Sequence, residues 1–175
     1  MAQLEAENGE ASAALRRKMP PRTEQYGPSH AALVDIFTPA GAHRAPALVF
    51  IHGGVWTRNS RQDVSYPASI LVGRGSVYMA PDFASLKTAR LPELAENCRR
   101  ALAWTIRNAL SFGADPDRIF VRALGRSASR GMRAYHRLDR SWESCSSRRG
   151  RSREPTCFIS AAPTARSGIQ AAVGR

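Results

Sequence analysis

Ala45-Pro46-Ala47-Leu48-Val49-Phe50-Ile51-His52-Gly53-Gly54-Val55-Trp56 holds the strongest structural signal in the chain. From Ala47 to Ile51 every side chain is apolar, and Val49, Phe50 and Ile51 are branched or aromatic. A strand with one wet face alternates apolar and polar residues. A continuous run closed by Pro46 on one side and Gly53-Gly54 on the other instead suits a strand covered on both faces, as in a parallel sheet. The glycine pair predicts a tight loop at that strand's carboxyl end.

Working outward, Leu33 to Phe37 reads as a strand, followed by a turn over Pro39 to Gly41. Asp63 to Val72 has helical character, limited by Pro67 to a helix start or a kink. Ser76 to Met79 is a third short strand, closed by Pro81-Asp82. The clearest helix runs from Leu91 to Phe112. Leu94, Cys98, Ala101, Thr105, Ala109 and Phe112 recur at three- and four-residue steps, Pro92 fits the first turn, and Gly113 is placed as the stop. Asp115-Pro116-Asp117 reads as a turn, and Arg118 to Val121 as a further strand. Strands alternating with helices point to an α/β fold with a mostly parallel sheet and helices on its faces. The first 22 residues are Ala/Glu-rich, then basic, and the Pro20-Pro21 pair sets a boundary after a short helix.

The 175 residues suit one domain, and 43% hydrophobic content suffices for a core. The net charge of +12 is uneven. Residues 1–121 carry 14 basic and 11 acidic side chains, whereas 122–175 carry 12 arginines against 3 acids. In that last segment 36 of 54 residues are Arg, Ser, Ala, Gly or Pro, and no period of 2 or 3.6 persists. Such a composition buries too little surface to offset its ordering entropy, so a disordered or irregular tail is expected. No apolar run approaches bilayer length, and the start lacks the apolar stretch of a signal peptide, so a cytoplasmic protein is expected. Cys98, Cys145 and Cys157 form neither a disulfide framework nor a zinc pattern. No metal cluster or phosphate loop is visible, so neither a cofactor nor a metal is expected.

His52-Gly53-Gly54-Val55-Trp56 after a buried strand resembles the HGGxW motif of α/β-hydrolases, particularly the kynurenine formamidases (arylformamidases) and related small carboxylesterases. The resemblance covers roughly residues 25–121. It includes Tyr26-Gly27-Pro28, Ser65-Tyr66-Pro67, Pro81-Asp82-Phe83, Arg99 to Trp104 and Phe112 to Val121. It implies the N-terminal part of an α/β-hydrolase acting on a formamide or carboxylic ester, with a small acyl compound as substrate. The glycines let the backbone approach that substrate, and the Gly53 and Gly54 amides would stabilise its oxyanion. Three segments follow: an extension over 1–24, a partial hydrolase domain over 25–121, and the tail over 122–175.

In this family the last of those strands leads into the nucleophile elbow, G-x-S-x-G, with an acid and then a histidine later in the chain. Here Val121 is followed by Arg122-Ala123-Leu124-Gly125-Arg126-Ser127-Ala128-Ser129-Arg130, through which that pattern cannot be written. Back-translated and read one nucleotide later, Arg122 to Arg130 can encode G-H-S-A-G-A-H-L-A. Leu124 then becomes the serine. Ala134 to Leu138 can become L-T-T-D-W, also in keeping with the family. A change of reading frame explains the Arg/Ser/Ala/Gly bias. It leaves nucleophile, acid and catalytic histidine unidentified in the chain as written, so an inactive product is expected. It also predicts an unpaired sheet edge at Arg118 to Val121, prone to aggregation.

The alternative is a non-enzymatic basic protein that binds nucleic acid through the Arg-rich tail, Ser144 to Arg153 above all. The tail has no lysine and no aromatics interleaved for base stacking, which leaves non-specific attraction to polyanions as the expectation. His30, His43 and His136 have no acidic partner at useful spacing and read as surface residues. Cys98 reads as a small core residue, and Asp35, Asp82, Asp115 and Asp117 need not be catalytic. The oligomeric state stays open.

Overall fold

The computed structural model describes residues 2–123 and 159–161. In chain order the elements are α1 (Ala2–Lys18), β1 (Arg22–Gln25), β2 (Leu33–Phe37), β3 (Ala45–Ile51), α2 (Ala68–Gly73), β4 (Val77–Pro81), α3 (Leu91–Asn108), β5 (Ala114–Ala123) and β6 (Ile159–Ala161). Single 3₁₀ turns precede α2 at 61–64 and follow α3 at 109–112.

The strands form one sheet in the order β1-β2-β4-β3-β5-β6. From β4 through β6 neighbouring strands run parallel, while β1 and β2 add an antiparallel edge. The unbroken apolar run of β3 now has its cause. Ala47, Val49 and Ile51 join Val77, Met79 and α3 residues Leu94, Cys98, Ala101 and Leu102 in one core layer. Phe50 joins Tyr78, Ala80 and Phe37 in a second layer, beneath Val64, Ala68 and partly buried Leu15 of α1. The sheet is thus covered on both faces. Each large aliphatic side chain taken out of water contributes about 1.5–3 kcal/mol.

Helix α3 starts and stops as its sequence dictates. The Glu93 carboxylate accepts the Arg90 amide at 2.8 Å, tying down the first turn. Gly113 ends the helical segment at φ +77, where an added Cβ would lie 2.5 Å from the Ala42 carbonyl oxygen. Only glycine fits that stop without displacing the β2–β3 connection.

Three expectations change. The helix over 63–72 is broken. Asp63 caps a 3₁₀ turn by accepting the Ser60 amide at 2.7 Å, and Pro67 becomes the N-cap of α2. The Asp115–Asp117 turn lies inside β5 as an irregularity: Ala45 pairs with Ala114, yet Ala47 pairs with Ile119. The extra residues bulge out, held by the Asp117 amide donating to Asp115 Oδ1 at 3.1 Å. The edge expected at Arg118 to Val121 is covered at its carboxyl end, where Val121 pairs with Ile159 in β6. Of the segment 122–175, Arg122 and Ala123 complete β5 and Ile159–Ala161 form β6. The expectations for 124–158 and 162–175 lie outside the described residues. Ahead of the main domain, α1 packs against the 3₁₀ turn at 61–64 and lays Leu15 on the second core layer, and β1 pairs with β2 as the sheet's edge strand.

Candidate functional site

β3, β4 and β5 all end at one edge of the sheet. Ile51 at the end of β3 pairs with Ala123 at the end of β5, and β4 ends beside them at Pro81. The His52–Trp56 loop, Asp82-Phe83 and the exit of β5 therefore share the carboxyl edge, where α/β sheets bind their ligands.

The loop backbone is unusual. Gly54 has φ +104, followed by Val55 at +56 and Trp56 at +64. For a β-branched residue such as Val55 this region is a true outlier, costing on the order of 1–3 kcal/mol. A Cβ on Gly54 would meet the Arg58 carbonyl oxygen at 2.1 Å. The loop is closed from within, since the Gly54 carbonyl accepts the Thr57 amide at 3.0 Å and the Arg58 amide at 2.9 Å. Trp56 is buried against Phe83, with ring centroids 5.0 Å apart, whereas Val55 stands exposed at the rim. Trp56 thus packs in the core.

His52 is 3% exposed and stacks on Phe83 at 4.2 Å. Its Nδ1 lies 2.9 Å from the Gly53 carbonyl oxygen. A carbonyl can only accept, so this contact is a hydrogen bond in the ring forms that carry a proton on Nδ1. The C=O of Gly53 and the N–H of Gly54 belong to one planar trans peptide and point in opposite directions. Anchoring that carbonyl on His52 therefore turns the Gly54 N–H away from the imidazole. Among the described residues, neither the Gly53 nor the Gly54 amide donates to an acceptor. Such a pair of unengaged N–H groups suits a developing oxyanion.

Beneath the loop lies a buried polar network. His52 Nε2 lies 3.3 Å from Asp82 Oδ1, within ion-pair distance when the ring carries a proton on both nitrogens, but without the angle of a hydrogen bond. Asp82 accepts the Arg61 amide at 2.9 Å and Arg61 Nη1 at 2.6 Å. Burial raises the Asp82 pKa, but His52 and the two Arg61 donors outweigh it and hold the carboxyl below its ordinary value. Arg61 Nε also reaches Asp35 Oδ1 at 3.1 Å. Asp35 is fully buried, and it further accepts Thr23 Oγ1 at 2.6 Å and Arg16 of α1. Arg16 in turn donates to Ser65 Oγ at 3.1 Å.

The expected oxyanion residues His52, Gly53, Gly54, Val55 and Trp56 thus fall together in one loop at the sheet's carboxyl edge. His30 and His43 are exposed, and Cys98 is buried, its thiol pushed up to about 12 by desolvation. His136, Ser127, Ser129, Cys145 and Cys157 lie outside the described residues. The sequence reading missed Arg16 and Arg61. Asp35 gave the available signal: a carboxylate inside the apolar strand Leu33-Val34-Asp35-Ile36-Phe37 needs a cationic partner.

A family model described as BD-FAE matches residues 34–135, more than half of the chain. The chain belongs to the BD-FAE family. Two of its relatives are named esterases. Esterase LipQ of Mycobacterium tuberculosis is 32% identical over 118 residues, covering 65% of this chain and 28% of LipQ. Esterase LipC of the same organism is 32% identical over 116 residues, again covering 65% of this chain and 28% of the relative. Among solved structures, native Thermogutta terrifontis esterase 2 superimposes with a TM-score of 0.57 at 25% identity, covering 63% of this chain and 42% of the esterase. Its cyclosarin-phosphonylated form gives the same TM-score and identity. The fold is the N-terminal portion of an α/β-hydrolase. The BD-FAE chain spans less than a third of the length of its curated relatives. Among the described residues no helix is long and apolar enough to cross a membrane.

Proposed function

We propose that this chain carries the oxyanion-binding half of a serine hydrolase acting on a carboxylic ester or a formamide, and that its reading frame changes before the nucleophile elbow is completed. The observation that carries this reading is the pairing of Ile51 with Ala123. It brings the His52–Trp56 loop beside the strand exit from which an elbow would rise. In the shifted frame the serine falls at Leu124, the first residue after β5.

In an intact family member the serine Oγ attacks the acyl carbonyl carbon, and a histidine takes its proton. The carbonyl oxygen then becomes an oxyanion held by loop amides, here those of Gly53 and Gly54. The esterase relatives favour an ester, and the HGGxW motif equally suits a formamide. The loop amides stabilise a charge that only an attacking nucleophile creates. The chain as written is therefore inactive in this proposal.

A second reading is favoured by the family match running on to residue 135 in the frame as written. Gly125-Arg126-Ser127-Ala128-Ser129 keeps the first glycine and the serine of the pattern, with Ser129 in place of the last glycine. The purified chain is assayed with p-nitrophenyl acetate and N-formylkynurenine beside its Ser127→Ala variant. The first reading predicts no turnover above buffer. Turnover abolished by Ser127→Ala would establish the second.

A further inference from the structure

In the polar network under the loop a single guanidinium ties three segments together. Arg61, in the 3₁₀ turn before α2, holds Asp35 of β2 through Nε and Asp82 after β4 through Nη1, while its own amide holds Asp82 again. Asp82 then faces His52 Nε2, and His52 Nδ1 holds the Gly53 carbonyl. The chain of contacts therefore runs from a buried strand carboxylate to the peptide plane whose N–H would meet the oxyanion.

We propose that Arg61 is a positioning residue for the His52–Trp56 loop: by fixing Asp82 beside His52 Nε2, it sets the plane of the imidazole, so that Nδ1 stays against the Gly53 carbonyl and the Gly54 N–H faces outward. Arginine suits this place because its planar fork bonds two carboxylates at once, which a lysine ammonium on a flexible stem does not reproduce. Asp35 keeps Arg61 from swinging wholly to Asp82, and Arg16 and Thr23 occupy the rest of Asp35. Burial of Arg61 opposes its charge, but Asp82 and Asp35 more than compensate, so the bridge stays cationic. The loop conformation it supports is strained at Val55 and Trp56, and such strain persists only where the surroundings over-determine it.

The inference rests on the oxyanion reading of the loop, but its test needs no turnover, so the two can fail separately. In the ¹⁵N-labelled full-length chain, two-bond correlations of the His52 ring report which nitrogen is protonated. A proton on Nδ1 is expected, and a ring protonated on Nε2 alone would overturn the proposal without any variant. Arg61→Gln should shift the Gly54 amide resonance and the His52 ring resonances, with amide exchange protection of β3 and β4 retained. Arg61→Lys should recover only part of that shift. Unmoved His52 and Gly54 signals in Arg61→Gln would contradict the proposal. If Arg61→Gln loses the β3 and β4 protection, Asp82→Asn takes its place with the same expected shifts, and unmoved signals there count against it equally.

Discussion

Gly54 and Asp82 set the terms at the residue scale. Any side chain at position 54 must take φ +104 and place its Cβ 2.1 Å from the Arg58 carbonyl oxygen. Gly54→Ala should therefore lose at least about 2 kcal/mol of stability in urea unfolding. Gly73→Ala, at the end of α2 with nothing within 4 Å of its added Cβ, should be neutral or slightly stabilising. Asp82 governs a pH dependence. Its folded pKa lies below the ordinary value of 3.8, so its ionised form contributes stability that is complete above that value. The contribution is lost as pH falls through the lower folded value. Between about pH 6 and about pH 3 the wild-type chain should lose more stability than Asp82→Asn, because the variant has no such carboxylate to protonate. Equal losses would show that Asp82 is not held down by Arg61 and His52.

Helix α3 ties the sheet's first core layer together at the scale of elements. Leu94 is fully buried there, and Leu94→Ala should cost about 2–5 kcal/mol through lost transfer energy and a cavity. Leu110, in the turn just beyond the helix, is 63% exposed, and Leu110→Ala should stay within about 0.5 kcal/mol. Cys98 lies on the buried face with its thiol at about 12, so peptide mapping after brief alkylation near neutral pH should find it modified only once the chain is unfolded. These elements were legible because their signals are local. The residues of α3 repeat with the helical period, β3 is apolar throughout, and Gly113 is the one residue type its turn admits. Short polar β1 was missed, since Arg-Thr-Glu-Gln shows no buried face and becomes a strand only by pairing with β2. The bulge in β5 was read as a turn because Asp115-Pro116-Asp117 has turn chemistry and nothing local reveals the strand continuing on both sides. The HGG loop was legible from its glycines. The Arg61 bridge was not, because its partners lie 26 and 21 residues away and only the fold brings them together.

At the scale of the whole molecule the structure pairs a hydrolase sheet, both faces covered, with a charge of +12 weighted toward its last 54 residues. That charge predicts attraction to polyanions without sequence preference. Heparin and unrelated DNA duplexes should bind alike at low salt and be released together as salt rises, since screening acts on charge alone. Retention of one duplex at high salt would instead mark an evolved nucleic-acid site. The central claim is the proposed change of reading frame after β5, where the His52–Trp56 loop and the strand exit meet. The nucleotide sequence from codon 118 onward tests it most directly. Read one nucleotide later near codon 121, it should encode G-H-S-x-G with the serine at the place of Leu124, followed downstream by an acid and then a histidine. A stop codon within a few codons of the shifted frame, or any residue but serine at that place, would contradict the account.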